Sequence, residues 1–434
     1  FTVLDANEQL PNIDVRNPLA GNVYNPELKP VLLSAQIDID FPSLLSVENI
    51  VFKANGEEIA VLDYGNSHYT TWWVPPSHGI HTIEISATNN YGAMHTETVQ
   101  VDVTNSTPTT NVDAFVDVWV DVNVPTFEVE AELPSYTGAY DQIDGLLDIV
   151  CPPGGCDPWD RVSSIDIQGH NGEWYELIRY ITPYGVPCDH SIDLTDFMSL
   201  LQGKVRFRVN LGTQGNGFLY NLNLNFNGGI PEYSFSTIDK LWSQTYPFGD
   251  FANLQPCEPY TINFAENTAA AKIKLVSTGH GWGAANTGNA AEFHNDTHQI
   301  RVNDLPAFDQ HNWYNCNPNP DGCQPQNGTW QFDRAGWCPG SIAQWFDFDM
   351  ATYVGIPNFE LTYIFNPNYV DLCHPNHPNC VSGVTCENCN EGFNPHLIVS
   401  SYLISFSENP LDVGILGPNE DLIDIDLFPN PSAG

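Results

Sequence analysis

Basic residues are scarce in this chain: 13 Lys and Arg stand against 53 Asp and Glu, which leaves a formal net charge of −40. A nucleic-acid-binding protein needs cations to neutralise phosphates, so this composition excludes a nucleic-acid partner. The same charge argues against docking on an anionic membrane. Long apolar runs are also missing. No stretch approaches the roughly 20 residues that span a bilayer, so we expect no membrane insertion.

A start methionine and a cationic leader are absent, since the chain begins at Phe1. We therefore expect that any signal peptide has been removed from an exported protein. The chain is rich in Asn, Asp, Gly, Pro and aromatic residues, which is typical of short strands joined by long turns. The sequence therefore predicts an all-β protein. Its 434 residues are too many for a single compact core, so we expect two or three domains.

Eleven cysteines indicate an oxidising compartment and several disulfides, with one thiol left over. The stretch over residues 373–389 is rich in Cys and His, and it has two interpretations: a loop closed by disulfides, or a tetrahedral zinc site. Disulfides are favoured because they dominate in exported chains. Three pairs have the spacing of closed loops, namely Cys151 with Cys156, Cys316 with Cys338, and Cys386 with Cys389.

Residues 30–103 alternate apolar and polar positions in six or seven short runs separated by turn residues. This pattern predicts an immunoglobulin-like sandwich. Trp72 and Trp73 are adjacent on one predicted strand, so one of them is expected in the core. Residues 104–111 are polar and lack periodicity, which indicates a linker.

The strand pattern resumes after this linker and predicts two further antiparallel sandwiches. We place the domain limits at residues 1–110, 111–234 and 235–408, with an acidic tail over 409–434. Residues 330–333 and 342–348 are among the strands predicted for the last sandwich. One short helix is predicted over residues 194–201, capped by Asp193 or Thr195 and ended by Gly203.

Asp160 lies between Trp159 and Arg161, just before a predicted strand and close to the loop that Cys151 and Cys156 would close. Burial against the indole would raise the pKa of the carboxyl group, and the guanidinium would lower it. Small geometric changes can therefore tune its charge, which suits a catalytic carboxylate. An ordinary surface ion pair is the alternative.

Several motifs along residues 112–408 resemble, in the same order, those of the peptide-N-glycosidase F family. In chain order they are Cys151 with Cys156-Asp157-Pro158-Trp159-Asp160-Arg161, Gly172-Glu173-Trp174-Tyr175-Glu176, Ile181-Thr182-Pro183-Tyr184, Asp193-Leu194-Thr195-Asp196-Phe197, Gly281-Trp282-Gly283, Ala291-Glu292-Phe293 with Thr297-His298, and Asp333-Arg334-Ala335-Gly336-Trp337-Cys338-Pro339-Gly340.

The resemblance implies two side-by-side eight-stranded jelly rolls with the active site in the cleft between them. It implies a hydrolase that cleaves the amide joining an asparagine side chain to the first N-acetylglucosamine of an N-linked glycan, leaving aspartate and a glycosylamine. Asp160 is then the principal catalytic carboxylate and Glu292 a second acid, and Cys316–Cys338 corresponds to a family bridge. The expected substrate-binding residues are Trp159, Arg161, Asn210, Trp282, Arg334 and Trp337.

The implied partner is an N-linked glycoprotein or glycopeptide. We expect a monomer that needs no cofactor and binds no metal. Residues 428–434 resemble the opening of the sorting domain that directs type IX secretion in Bacteroidetes, which predicts export to the medium or the cell surface by that route. A polar, turn-rich terminus is the alternative interpretation.

This chain departs from the family pattern in two places. Asn210 stands where the family carries a glutamate, and no acidic residue lies between Asp196 and Glu232. An amide can hydrogen-bond but cannot move a proton. Near Glu292, Ala290 and His294 replace a cysteine pair of the family.

Two alternatives stay open. The missing acid favours a non-catalytic glycan-binding or adhesion protein on the same fold, and fold analogy alone suggests a copper monooxygenase on paired jelly rolls. Each site residue also has a structural interpretation: Glu292 as a solvated loop acid, Arg334 with Trp337 as a structural cation–π contact, and His280 and His298 as histidines bonded to backbone carbonyls.

Overall fold

The computed structural model describes residues 9–40, 42–63, 67–282, 290–373 and 393–411. Strands dominate these residues, and the only helices described are single 3₁₀ turns. The all-β prediction is therefore confirmed. No described helix has the length and apolar character needed to cross a membrane.

The N-terminal part is a sandwich of two sheets with strand orders β1-β3-β6 and β2-β8-β7-β4-β5. Trp73 is 3% exposed in its core, whereas Trp72 is 38% exposed. Trp72 packs edge-on against Phe235 with ring centroids 5.5 Å apart. The immunoglobulin-like assignment stays a prediction. The strands are β1 (Asn12–Asn17), β2 (Gly21–Tyr24), β3 (Val31–Asp38), β4 (Val47–Ala54), β5 (Glu57–Leu62), β6 (His68–Trp73), β7 (Gly79–Asn89) and β8 (Met94–Thr104).

The first central sandwich pairs sheet β14-β11-β16-β9 with sheet β10-β15-β12-β13-β22. Its strands alternate buried and partly exposed side chains, as in β15, because one face of each sheet packs on the core. Its strands are β9 (Thr110–Val120), β10 (Thr126–Glu132), β11 (Tyr140–Val150), β12 (Val162–Gln168), β13 (Trp174–Ile181), β14 (Cys188–Asp193), β15 (Lys204–Leu211), β16 (Phe218–Gly228) and, from a later part of the chain, β22 (Ser341–Ile342).

The helix predicted over residues 194–201 is shorter than expected. Only Thr195–Phe197 is helical, as a 3₁₀ turn, and hydrogen bonds between residues three apart continue to Leu201. Leu194, Phe197 and Leu200 are all buried. Their spacing of three matches the 3₁₀ period, which places all three side chains on one face, whereas the segment is too short for a stable α-helix.

The second central sandwich pairs sheet β17-β25-β19-β23 with sheet β18-β24-β20-β21. The strand predicted over residues 330–333 is wrong, because these residues form turns. The strand predicted over 342–348 is split in two, and its first part, β22, joins the first sandwich. The strands are β17 (Phe235–Pro247), β18 (Tyr260–Ile262), β19 (Ala270–His280), β20 (Asp296–Val302), β21 (Leu305–Asn312), β22 (Ser341–Ile342), β23 (Phe346–Asp349), β24 (Phe359–Ile364) and β25 (His396–Ser407).

The two central sandwiches pack against each other through a continuous buried core that includes Ile178 of β13 and Tyr402 of β25. Arg179 of β13 also crosses this contact and donates to Ser400 at 3.0 Å. Strands β8 and β9 are separated by residues 105–109, and β16 and β17 by residues 229–234. The domain limits themselves remain predictions.

Disulfides join Cys151 to Cys156 and Cys316 to Cys338, the two described pairs that spacing indicates. A third joins Cys188 to Cys323, which the sequence did not predict. Cys257 is a free thiol. Cys386, Cys389 and most of the proposed zinc stretch lie outside the described residues, although Cys373 at its start is disulfide-bonded. The tail from residue 412 also lies outside them.

Candidate active site

A cavity of about 1100 Å³ lies between the two central sandwiches. The first sandwich contributes the segment that leads into β12 and the residues that follow β13 and β15. The second contributes the ends of β19 and β25, a 3₁₀ turn at Ala291–Phe293, and the loop after β21. The lining residues are Trp159, Asp160, Arg161, Val162, Tyr184, Gly212, His280, Trp282, Glu292, Phe293, Trp313, Thr329, Phe332, Asp333, Trp337, Phe393, His396 and Ile398.

Asp160 enters the cavity from a turn held by its neighbour Asp157. The buried Asp157 carboxylate accepts hydrogen bonds from the backbone N–H of Trp159 at 2.9 Å and from the hydroxyl of Thr213. The Tyr184 hydroxyl donates to Asp160 Oδ2 at 2.7 Å. Burial raises the pKa of Asp160, while this hydrogen bond and nearby arginines partly offset the rise.

Arg334 is the cation at the centre of the site, and its side chain is 1% exposed. Its Nε donates to Glu292 Oε1 at 3.1 Å, and its Nη2 lies 3.7 Å from Asp160 Oδ2. Carbonyl oxygens hold the rest of the guanidinium, that of Phe332 at 2.6 Å and that of Thr329 at 3.2 Å. Arg334 therefore bridges a carboxylate of each sandwich.

The position of Arg334 is fixed by packing as well as by hydrogen bonds. Its guanidinium carbon lies 4.9 Å from the centre of the Trp337 ring and 5.3 Å from that of Phe293. Gly336 adopts a φ of +81°, and a Cβ there would come within 2.1 Å of the Ser277 carbonyl oxygen. The predicted Arg334–Trp337 contact is thus real, and it positions a cation that faces two carboxylates.

Glu292 lies on the 3₁₀ turn Ala291–Phe293. Burial raises the pKa of Glu292 to about 7; Arg334 opposes this rise and the charge of Asp160 adds to it. The interpretation of Glu292 as a solvated loop acid is wrong, because its side chain is only 14% exposed. The site therefore holds the Arg334 cation between two carboxyl groups whose pKa values burial raises.

Arg161 and Trp159 flank Asp160 and differ in exposure. Trp159 is 58% exposed at the cavity mouth. Arg161 is held by its backbone N–H, which donates to Thr182 Oγ1 at 2.8 Å. Its Nε is buried and has no hydrogen-bond partner among the described residues, although Asp157 Oδ2 lies 3.6 Å away. Arg161 also lines the cavity, so its guanidinium lies where a ligand would bind.

Trp282 and Trp337 also line the cavity as the sequence predicts. Trp282 is 40% exposed, whereas Trp337 is buried and donates its indole N–H to Gly279 O at 2.8 Å. Trp337 stacks on His280 with ring centroids 5.4 Å apart. His280 Nε2 pairs with the Thr278 hydroxyl at 2.8 Å, and no described residue offers this histidine the backbone carbonyl that was predicted.

Asn210 is not among the cavity-lining residues. It lies on the face of β15 that meets Asp166 and Ser164 of the neighbouring strand β12. Its Nδ2 donates to Asp166 Oδ2 at 2.9 Å and to Ser164 Oγ at 3.0 Å, and its Oδ1 accepts from Thr126 at 3.0 Å. The structure therefore does not bring Asn210 together with the other predicted site residues, because its amide is hydrogen-bonded within the sheet.

His294 and His298 lie outside the cavity lining as well. His294 Nε2 is 3.3 Å from Asp296 Oδ2. His298 is buried and accepts from the backbone N–H of Asn366 at 3.2 Å, rather than bonding a carbonyl. Within the described ranges, no group of three or more His, Cys, Asp or Glu side chains is arranged to hold a metal ion.

Sequence reasoning missed several lining residues. Tyr184 belongs to a quoted motif, but nothing in the sequence pairs its hydroxyl with Asp160. Thr329 and Phe332 lie in an irregular loop, where periodicity gives no signal. His396 is at the first position of β25, where it could only be placed once β25 was paired with β19.

The chain is similar in sequence to known glycan-processing amidases. The family model described as "Peptide-N-glycosidase F, C terminal" matches residues 248–404. The peptide-N(4)-(N-acetyl-β-D-glucosaminyl)asparagine amidase F of Elizabethkingia miricola is 34% identical over 214 residues, which are 44% of this chain and 58% of the relative. The match thus spans little more than half of that relative's length.

Solved structures extend the likeness over both central sandwiches. A structure of PNGase F, described as a glycosylasparaginase from Flavobacterium meningosepticum, has a TM-score of 0.61 at 25% identity and covers 71% of this chain and 99% of that one. PNGF-II has a TM-score of 0.52 at 12% identity over 89% of this chain and 90% of its own, which shows the fold alone. Together, the family model, the relative and the structures show that the two central sandwiches are similar to peptide-N-glycosidase F.

Proposed function

We propose that this chain hydrolyses the amide bond between an asparagine side chain and the first N-acetylglucosamine of an N-linked glycan. The observation that carries the proposal is the bridge from Arg334 to Asp160 and Glu292 inside a cavity between two sandwiches. A base, an acid and a fixed cation are the groups that amide hydrolysis requires.

In the proposed reaction Asp160 accepts a proton from water, and the oxygen of that water attacks the amide carbon. Arg161 lines the cavity, and its guanidinium stabilises the developing oxyanion. Glu292, with its pKa raised to about 7 by burial, still holds a proton in mildly acidic solution and donates it to the leaving nitrogen. The carbon–nitrogen bond breaks, and the products are aspartate and a glycosylamine.

Exposed aromatic rings at the cavity support a carbohydrate substrate. Trp159 and Trp282 present indoles to solvent, and Phe332 and Phe393 are about half exposed. Flat aromatic faces stack on the apolar faces of sugar rings. A cavity of about 1100 Å³ also accommodates more than one sugar or a sugar with a peptide segment.

The replacement at Asn210 is compatible with activity, because Asn210 does not line the cavity and the cavity keeps two carboxylates. The test is incubation with a denatured N-glycoprotein in water enriched in heavy oxygen. Released glycan, with heavy oxygen in the new aspartate, is the expected result, and an intact substrate at high enzyme concentration would reject the proposal. Asp160→Asn should abolish release, whereas Asp189→Asn on the exposed surface of β14 should not.

A second candidate is a non-catalytic glycan-binding protein on the same fold. The absence of any acid between Asp196 and Glu232 favours it, since the family has a glutamate there. Glycan binding without release, and unchanged in Asp160→Asn, would support this candidate. The copper alternative has no comparable observation in its favour among the described residues.

We also propose that the chain is exported and acts as a monomer, with the N-terminal sandwich positioning it on glycoprotein or at the cell surface. Its disulfides support an oxidising compartment. No described residue of the N-terminal sandwich lines the cavity. Ser34 instead bonds His170, just beyond the end of β12, whereas the cavity lies at the start of that strand. The type IX route rests on residues 428–434, outside the described residues.

A further inference from the structure

The chain between β21 and β23 leaves the second sandwich and lies against the first. We call residues 313–345 the crossing loop. Its short strand β22 pairs with Tyr180 and Ile181 of β13. On either side of it, Gly340 N donates to Ile181 O and Ala343 N donates to Arg179 O, both at 2.8 Å. Most of the loop is otherwise irregular, and its backbone hydrogen bonds connect it to both sandwiches: Asn327 N donates to Tyr184 O at 3.3 Å, and Ala335 N donates to Glu292 O at 2.9 Å.

This loop carries the cation of the site. Arg334 belongs to the crossing loop, and so do Thr329, whose carbonyl and hydroxyl hold the Arg334 side chain, and Trp337, on which the guanidinium packs. The distance from Arg334 to Asp160 therefore depends on how the crossing loop sits on the first sandwich. A loop shift of about 1 Å at a catalytic centre can cost about a hundredfold in rate.

The disulfide Cys188–Cys323 ties the crossing loop to the first residue of β14, with the two Cα atoms 5.8 Å apart. Hydrogen bonds lead from this disulfide to Asp160. Gln326 Nε2 donates to Cys323 O at 2.7 Å, and Gln326 Oε1 accepts from Tyr184 N at 3.1 Å. The Tyr184 hydroxyl then donates to Asp160.

A second contact reinforces this disulfide link between the crossing loop and β14, which we call the tether. Asp321, two residues before Cys323, lies 3.2 Å from His190 of β14 and accepts a hydrogen bond from Ile342 N at 2.8 Å. Asp321 and Cys323 thus connect β14 and β22 to the hydrogen bonds that lead to Asp160. We propose that Cys188 and Cys323 are positioning residues for the proposed amide hydrolysis, which hold the crossing loop so that Tyr184 and Arg334 stay in register with Asp160.

We therefore expect the pH dependence of the reaction rate to change when the Cys188–Cys323 disulfide is removed. Arg334, Arg161, Tyr184 and Glu292 face Asp160. The Tyr184 hydrogen bond and the two arginines hold the pKa of Asp160 below the value that burial alone would give. If the crossing loop loosens, the hydrogen bond from Tyr184 to Asp160 weakens, and the charge of Arg334 lowers the pKa of Asp160 less. The pKa of Asp160 then rises further, and the acid limb of the rate profile moves to higher pH.

The test replaces both cysteines, in Cys188→Ala/Cys323→Ala, so that no lone thiol is created. We expect kcat/KM for a glycopeptide to fall about tenfold to a hundredfold, mainly through kcat, with the acid limb at higher pH. Leu147→Ala, in the core of the first sandwich, is the matched control for lost stability. It should lower the thermal midpoint without moving the acid limb.

Amide hydrogen exchange gives a readout that does not need activity. In the double variant, the N–H groups of Tyr184 and Asn327 should exchange faster, while those of β11 stay protected. An unchanged acid limb and unchanged exchange at these two positions would overturn the inference. The inference rests on the proposed function only for its rate effect. A wild-type protein that releases no glycan would reject that function. The exchange result would still show whether the Cys188–Cys323 disulfide holds the crossing loop in place.

Discussion

Arg334 and Glu292 form a hydrogen bond of 3.1 Å between two nearly buried side chains, at the boundary between the sandwiches. The guanidinium is planar, so its Nε can pair with Glu292 while its Nη2 faces Asp160. A single rigid cation thus sets the spacing of two carboxyl groups that come from different parts of the fold.

Arg334→Lys keeps the positive charge but removes the planar guanidinium whose nitrogens face both carboxyl groups. We expect kcat/KM to fall about a hundredfold to a thousandfold, comparable to the loss of one fixed transition-state donor. Arg301→Lys is the control, because Arg301 lies on β20 outside the cavity, where its Nε donates to Gln299. Steady-state kinetics on one glycopeptide compare the three proteins, and a lysine variant within threefold of wild type would contradict the bridging role.

Glu292 should set the alkaline limb of the rate profile. Its pKa is raised to about 7 by burial, so the proton that it donates is lost as the pH rises through that value. Glu292→Gln should lower kcat/KM about a hundredfold or more and abolish this limb. Because Asp160 and Glu292 interact, the apparent pKa in the profile belongs to the pair. A limb that persists unchanged in the glutamine variant would assign it to another group.

The same pKa predicts a stability effect of definite sign. The folded protein holds the Glu292 proton more tightly than the unfolded chain, whose glutamate has its ordinary pKa near 4.5. The stability contributed by Glu292 is thus present below pH 4.5 and is lost as the pH rises to about 7. The loss is on the order of 3 kcal/mol. Urea unfolding of wild type against Glu292→Gln across this range measures the difference.

Gly336 should be intolerant of any side chain. Its φ is +81°, and a Cβ would meet the Ser277 carbonyl oxygen at 2.1 Å. Gly355 has a φ of +83° with open space within 4 Å of the point that a Cβ would occupy, so Gly355→Ala carries the backbone strain without the clash. We expect Gly336→Ala to lower the free energy of unfolding by about 2 kcal/mol more than Gly355→Ala and to displace Arg334. If denaturant unfolding shows equal losses of unfolding free energy in the two variants, the close approach of a Cβ to the Ser277 carbonyl oxygen is unimportant.

The fold class could be predicted from alternation, because period-two burial follows directly from strand geometry. Asp160, Glu292 and Arg334 could be named through motif resemblance, but their spacing could not, since it depends on how two sandwiches pack. The Cys188–Cys323 bridge was missed because spacing does not determine connectivity across distant parts of a chain. The surroundings of Asn210 could not be predicted for a related reason: a strand residue faces one side or the other, and only the pairing of β15 with β12 shows that Asn210 meets Asp166.

Asn210→Ala tests that last point. The Asn210 side chain bonds Ser164, Asp166 and Thr126 and does not line the cavity. We expect kcat/KM to stay within about twofold of wild type, while the free energy of unfolding falls by about 1–2 kcal/mol because Asp166 loses a donor. Glycopeptide kinetics and urea unfolding on the same preparation separate the two effects. If Asn210 instead binds substrate, KM should rise severalfold with stability unchanged, and its hydrogen bonds within the sheet would no longer explain its position.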